Sequence, residues 1–248
     1  MRPYERILAG LGMKTRSFLL LTLRRRAYRR ALSTLPRING PALILGSSPT
    51  AVKPVSYRPD WFVVSINGSQ LVGESFGIPV PDLTVMRDGI TIPSLHSDTV
   101  WAALKGKRTK HLVSSIASQR DRGIGAKLAS YGYHADGVTE VDRHTRGAII
   151  AEMTGRYQVS ITNRESLSNG IYAALLACKL GANPVVMAGF SFSQTGLFFG
   201  GTTHFNREHL SGDALACQAI VKRGLPIYTE DETFATESGL RLWPSKPA

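Results

Sequence analysis

From residue 41 onward, short unbroken apolar runs alternate with stretches of helical period. Residues 41–46 (Pro-Ala-Leu-Ile-Leu-Gly), 61–66 (Trp-Phe-Val-Val-Ser-Ile) and 82–86 (Asp-Leu-Thr-Val-Met) read as buried strands. Residues 111–115 give a weaker fourth, and 159–162 is a candidate for another. An apolar helix follows over 168–180, then a strand over 185–189. Residues 211–223 read as a helix with Ser211 as N-cap and Gly224 beyond its end, and 225–229 closes as a strand. Continuously apolar strands alternating with helices predict an α/β fold with a mostly parallel sheet and helices on both faces. The region from about 116 to 157 is rich in Gly, Arg and His and reads as a lid or a small helical insertion.

A parallel sheet brings the carboxyl ends of its strands to one edge, and open α/β sheets bind ligands there. The ends in question carry Gly46, Ser47 and Ser48, then Asn67, then Asp88. Backbone amides after Gly46 can hold a phosphate. The sequence there is neither a Walker loop nor a Gly-x-Gly-x-x-Gly motif, and Gly-Ser turns are common. Asn67 has two roles open to it: reading a base or ribose, or supplying the positive-φ residue of an Asn-Gly turn. Ser168, Asn169 and Gly170 open the helix over 168–180, and a helix N-terminus favours anions. Past the 185–189 strand lie His204 and His209, whose imidazoles can take a proton near neutral pH.

Composition is that of a globular protein, with 43% hydrophobic and 8% aromatic residues in 248. Such a chain buries a core without disulfides or metals. Its two cysteines, Cys178 and Cys217, both lie in apolar helical patterns and read as buried small hydrophobes. Charge changes the picture more. Residues 1–37 hold ten basic side chains against Glu5, a net +9 of the total +12, and leave the body close to balance. The longest uncharged apolar run of this arm, residues 17–23, is far shorter than the ~20 residues that span a bilayer. Tyr4, Ile7, Leu8, Leu11, Phe18 and Leu19 among arginines give an imperfect amphipathic helix. Three readings of the arm follow, in this order: an anionic membrane surface, a helix packed on the body, and nucleic acid. Residues 38–248 form the remaining domain.

The segment from Ser168 to Gly196 resembles bacterial sialyltransferases of glycosyltransferase family 42. There a Ser-Gly-containing turn leads into a helix and a strand ending in Gly-Ile-Asp-Phe, and a histidine precedes the next helix. Here Thr203-His204-Phe205-Asn206-Arg207-Glu208-His209 occupies that last place. Upstream, Leu45-Gly46-Ser47-Ser48-Pro49-Thr50 is similar to the family's Gly-Asn-Gly-Pro-Ser, and Asn67 falls at a nucleotide-binding asparagine. The resemblance covers much of residues 41–235 and is close only over 168–196; the arm is outside it. It implies a Rossmann-like sheet, a GT-A-like sialyltransferase variant, that binds a CMP-sugar with no metal or other cofactor required. The implied general base is His209, with His204 as the alternative. Two family tyrosines that stabilise the leaving phosphate fall at Ser193 and Phe199, and the arginine before the Ser-Gly turn falls near Ser166, with Arg164 two residues away. Asp88 stands at a family asparagine. Phosphate stabilisation would then come from elsewhere, such as Arg164 or Arg207.

What the resemblance implies is an inverting transferase that moves an acidic keto-sugar, of sialic acid or Kdo type, from CMP to a glycan or lipopolysaccharide-core acceptor. Gly46, Ser47, Ser48 and Asn67 would bind CMP, and Ser168, Asn169, Gly170 and Ser193 the sugar or phosphate. With the arm, the expected place is the cytoplasmic face of the cytoplasmic membrane. Two rivals stand beside it: a non-catalytic, membrane-associated nucleotide- or glycan-binding protein on the same fold, and a Mg²⁺-dependent pyrophosphate-transferring enzyme in which Asp88 is essential.

Overall fold

In the computed structural model, residues 25–87, 95–116, 123–156, 158, 166–194, 196–200 and 209–244 are described. Their elements are α1 (Arg25–Ser33), β1 (Gly40–Leu45), β2 (Phe62–Ile66), α2 (Gln70–Ser75), β3 (Leu83–Arg87), α3 (Leu95–Leu104), β4 (Arg108–Ile116), α4 (Ile124–Ser130), β5 (His134–Asp142), α5 (Arg143–Thr154), α6 (Asn169–Lys179), β6 (Ala182–Ala188), α7 (Leu210–Lys222), β7 (Ile227–Thr229), α8 (Glu232–Ser238) and β8 (Arg241–Leu242).

One sheet of eight strands runs in the order β5-β4-β3-β2-β1-β6-β7-β8, and every pairing is parallel. Alternate residues of β1 point to opposite faces, so both faces need cover. Ala42 and Ile44 enter a core with α5, α6 and α7, while Leu43 and Leu45 enter a second one with Trp61, Val72 and Phe76. A third cluster, around Trp101, Leu112, Leu128 and Tyr133, seats α3 and α4. The α/β sheet covered on both faces is therefore as expected from the apolar runs. Inside it, a chain of hydroxyls crosses the strands: Ser65 Oγ to Thr84 Oγ1 at 2.8 Å, and Thr84 Oγ1 to the Tyr133 hydroxyl at 2.9 Å.

Three expectations are corrected. Residues 116–157 are not a lid or insertion over the sheet: α4, β5 and α5 lie within them, and β5 pairs with β4 over eight register positions from Arg108–His134 to Ile116–Asp142. The strand is hard to see because it is an edge with alternating exposure, so its sequence His-Ala-Asp-Gly-Val-Thr-Glu-Val-Asp has no apolar run. The helix near 211 begins earlier, with His209 as its N-cap, because the Asp213 N–H already bonds the His209 carbonyl and leaves Ser211 inside the first turn. The boundary near residue 37 does not detach the described end of the arm, residues 25–37. Leu35 and Ile38 are core residues, Tyr28 and Leu32 pack against the same core, and the Tyr28 hydroxyl donates to Glu152 of α5, which also pairs with Lys179. The proposed strand at 159–162 lies outside the described residues. Among those residues, no helix is long and apolar enough to cross a membrane.

Thr84 sits in the middle of the buried hydroxyl chain, so its loss strands two partners. Thr84→Val is expected to cost about 1–3 kcal/mol, read as a lower denaturant midpoint at unchanged m-value. An unaltered midpoint would show that the chain adds nothing to stability.

Candidate functional site

The strand order reverses between β1 and β6: from β1 the chain builds outward through β2 to β5, and from β6 it builds the other way to β8. In open α/β sheets the place between two such carboxyl ends is the crevice where ligands bind. Its floor is made by backbone alone. A Cβ on Gly46 would come under 3.0 Å from the carbonyl oxygen of Gly189, which is itself at φ +73. The Gly46 N–H donates to Ala188 O and the Ser48 N–H to Gly189 O, both at 2.8 Å, and the Phe198 N–H donates to Ser47 O at 2.9 Å. Of the amides after Gly46 that the sequence offers to a phosphate, that of Ser48 is therefore engaged within the protein. The buried Ser48 hydroxyl donates to Gln194 Oε1 at 2.8 Å and that of Thr50 does so at 2.7 Å, so Gln194 ties the two loops together.

Asn67 ends β2 with φ 49, which makes it the positive-φ turn residue. Its side chain is also turned toward the site, since Asn169 Nδ2 donates to Asn67 Oδ1 at 3.3 Å. The turn reading of Asn67 is the one observed, and its amide oxygen is at the same time held by Asn169. Gly68 beside it is covered by the Phe199 ring, which leaves no room for a Cβ. Ser69 Oγ donates to Leu45 O at 2.6 Å and binds the β2 end to the β1 end. Phe190 lies between Gly46 and Gly170, in contact distance of a Cβ at either, so the β1 turn and the α6 N-terminus meet across one ring.

At that N-terminus, Ser168 caps α6 through Oγ, which accepts from the Ile171 N–H at 3.3 Å. The Ser168 N–H donates to Asp213 Oδ1 at 2.8 Å, and His209 Nδ1 lies 2.9 Å from Ser166 Oγ. The first turn of α7 is thereby docked on the turn that precedes α6. When Nδ1–H of His209 donates to Ser166, Nε2 carries the lone pair, the tautomer that a general base needs.

Beneath this turn lies Arg146 of α5, which the sequence reading missed. Its guanidinium is buried, with NH1 donating to Asn169 Oδ1 (3.0 Å) and Ser115 Oγ (3.1 Å) and NH2 to Leu167 O (2.8 Å) and Ser168 O (3.4 Å). Its carbon lies 4.1 Å from the centre of the Tyr172 ring. Burial pushes its pKa down to about 10, further lowered by the nearby Arg87 and opposed by Tyr172 and Asp213, so the group is still cationic at neutral pH. A signal was present in the sequence. Arg146, Ile149, Ile150 and Met153 fall at i, i+3, i+4 and i+7, which puts a cation on the buried stripe of α5.

Ser193 is drawn elsewhere. Its hydroxyl donates to Glu237 of α8, which also accepts from the Phe192 N–H and Ser191 Oγ. Burial alone would raise Glu237, but these hydrogen bonds outweigh it and hold the carboxyl below its usual range. Of the expected site residues, Asn67, Ser168, Asn169, Gly170 and His209 come together, with Gly46, Ser47 and Ser48 bordering them. Asp88, Arg164 and His204 lie outside the described residues. Among the described residues, no group of three or more His, Cys, Asp and Glu side chains is placed to hold a metal ion.

No protein-family model and no curated sequence matches the chain. Solved structures do. The fold is similar to that of the sialyltransferase Cst-II in complex with a trisaccharide acceptor and CMP, at TM-score 0.52 and 12% identity over 85% of this chain and 89% of that one. It is similar to CstII from Campylobacter jejuni with cytidine-5'-monophosphate at TM-score 0.52 and 11% identity, covering 86% and 88% of the two chains. The monofunctional α-2,3-sialyltransferase Cst-I from Campylobacter jejuni gives TM-score 0.52 and 12% identity over 85% and 83%. The chain thus has the fold of these sialyltransferases.

The contact between Gly46 and Gly189 makes a sharp test of the crevice floor. Gly46→Ala is expected to cost about 1–3 kcal/mol through overpacking, measured by chemical denaturation. Wild-type stability in this variant would mean that the two strand ends do not touch.

Proposed function

We propose that the chain is an inverting, CMP-sugar-dependent glycosyltransferase that moves an acidic keto-sugar, of sialic acid or Kdo type, to a glycan or lipopolysaccharide-core hydroxyl. The observation that carries this reading is the meeting of His209, the capped N-terminus of α6 and the Asn67–Asn169 amide pair at the crevice between β1 and β6. Three things the reaction needs have a source there. A base is supplied by the His209 imidazole, held by Ser166. An anion is favoured by the α6 N-terminus and by the cations of Arg87 and Arg146. Hydrogen bonds for the nucleotide are supplied by Asn67, with Ser47 at the neighbouring strand end. Likeness to sialyltransferases crystallised with CMP supports the donor class.

On this reading the acceptor hydroxyl attacks the anomeric carbon as the bond to the CMP phosphate oxygen breaks. The new carbon–oxygen bond forms on the opposite face, the proton passes to His209, and the electron pair leaves with CMP. Direct displacement inverts the centre, and no covalent sugar–enzyme adduct forms. The basic residues of the first 37 would hold the enzyme at the cytoplasmic face of an anionic membrane, near a lipid-linked acceptor.

One observation favours a second reading. Neither Ser193, engaged with Glu237, nor Phe199, packed on Gly68, offers a phenolic hydroxyl to a leaving phosphate. A protein that binds the nucleotide or glycan without transfer would need neither. Calorimetry with CMP, followed by transfer assays with CMP-sialic acid and CMP-Kdo, separates the two. Transfer in the wild type is expected to fall ~10²–10⁴-fold in His209→Ala with CMP affinity kept. CMP binding with no transfer from either donor would leave the binding-protein reading, and no CMP binding would remove both.

A further inference from the structure

The guanidinium of Arg146 has donors and no acceptor, and this settles the direction of every hydrogen bond around it. The atom of Asn169 facing it at 3.0 Å must be the amide oxygen. The Asn169 NH₂ therefore points away, and it donates to Asn67 at 3.3 Å. That bond in turn requires the Asn67 oxygen to face inward. The Asn67 NH₂ is left directed away from this pair, and among the described residues it has no protein acceptor. Polarity is thus handed from a buried cation through two amides to one group at the strand end. Either amide turned over would set NH₂ against a donor.

We infer that Arg146 is a positioning residue that fixes the amide orientation of Asn169 and, through it, of Asn67, so that Asn67 offers N–H donors to acceptor atoms of the nucleotide. This rests on the reading of the site as a CMP-sugar site. The relay favours a ligand edge rich in carbonyl or ring-nitrogen acceptors, and it disfavours one that presents donors. It also gives a reason for keeping a buried cation that, among the described residues, has no carboxylate within ion-pair distance. Its neighbours there are the neutral acceptors Ser115 Oγ, Leu167 O, Ser168 O and Asn169 Oδ1, and the Tyr172 ring. An uncharged side chain able both to donate and to accept would satisfy the same carbonyls but leave Asn169 free to turn.

The test is a double-mutant cycle read by calorimetry with CMP on the full chain. Arg146→Gln is expected to weaken CMP binding about tenfold or more. Asn67→Gly removes the end of the relay and suits the φ of 49 at that position. In the Asn67→Gly background, Arg146→Gln is expected to keep only the loss that its charge on the phosphate accounts for, several-fold smaller than with Asn67 intact, and Asn169→Ala to change CMP affinity less than about twofold. A purely structural arginine gives equal losses in both backgrounds, and that result overturns the inference. So does full CMP affinity in Arg146→Gln with Asn67 intact. If Arg146→Gln does not fold, Arg146→Lys takes its place. A single ammonium does not reproduce the fork on Leu167 and Asn169, and the same dependence on Asn67 is required. Absence of CMP binding in the wild type would overturn the site reading itself, and with it the inference. Wild-type binding with additive losses would overturn the inference alone.

Discussion

Everything at the carboxyl edge depends on two glycines passing within backbone distance where the strand order reverses. Gly46 and Gly189 lie so close that neither strand end has space for a side chain. The Gly46 and Ser48 amides then bond to the β6 end and fix the β1 turn against it. The anion-binding character of the crevice shifts across Phe190 to the start of α6. The same approach lets the 189–200 loop reach back over β1, through Gln194 on Ser48 and Thr50, and over β2, through Phe199 on Gly68.

The wall on the far side is held by charge. Arg146 and Asp213 come from different helices and grip the same turn from two sides, one by its carbonyls and one by the Ser168 N–H. Asp213 also acts through space on Arg146 and favours its charged form. Burying a guanidinium is costly without a partner, and carbonyl oxygens with an aromatic face offset only part of it. Retaining that arrangement makes most sense where a ligand supplies negative charge nearby. The α1 end of the arm connects to this region too: Tyr28 bonds Glu152, one helical turn and a half beyond Arg146 on α5.

Strands with continuous apolar runs were legible because burial on both faces writes itself into the sequence as Ala42-Leu43-Ile44-Leu45 or Val185-Val186-Met187. β5 was not, since half of an edge strand faces water and its residues are chosen for solubility. Asn67, Asn169 and His209 were found from their places at strand and helix ends. Arg146 was not, because a lone arginine in a helix ordinarily reads as solvated, and only its position on the Ile149–Ile150–Met153 stripe separates it from that case. Nor could sequence show that Ser48 and Ser193 would face Gln194 and Glu237, because those partners lie 146 and 44 residues away along the chain. A hydroxyl advertises chemistry but not its partner.

The partner of Ser193 has a consequence for how a donor would lie. Glu237 is ionised at neutral pH and sits at the 191–193 end of the crevice, with its carboxyl held below the usual range by the bonds it accepts. Arg146, with Arg87 near it, and the N-terminus of α6 put positive charge at the turn that precedes α6. On the proposed reading, an anionic sugar–phosphate junction would be repelled by Glu237, where the resemblance alone would look for stabilising hydroxyls, and drawn toward Arg146 and the N-terminus of α6. On the proposed reading, the leaving phosphate is stabilised by fixed positive charge from below in place of phenolic donors from above. That arrangement accounts for Ser193 and Phe199 without requiring the loss of transfer, because the charge that develops on CMP as the bond breaks needs a counter-charge and not a particular side chain.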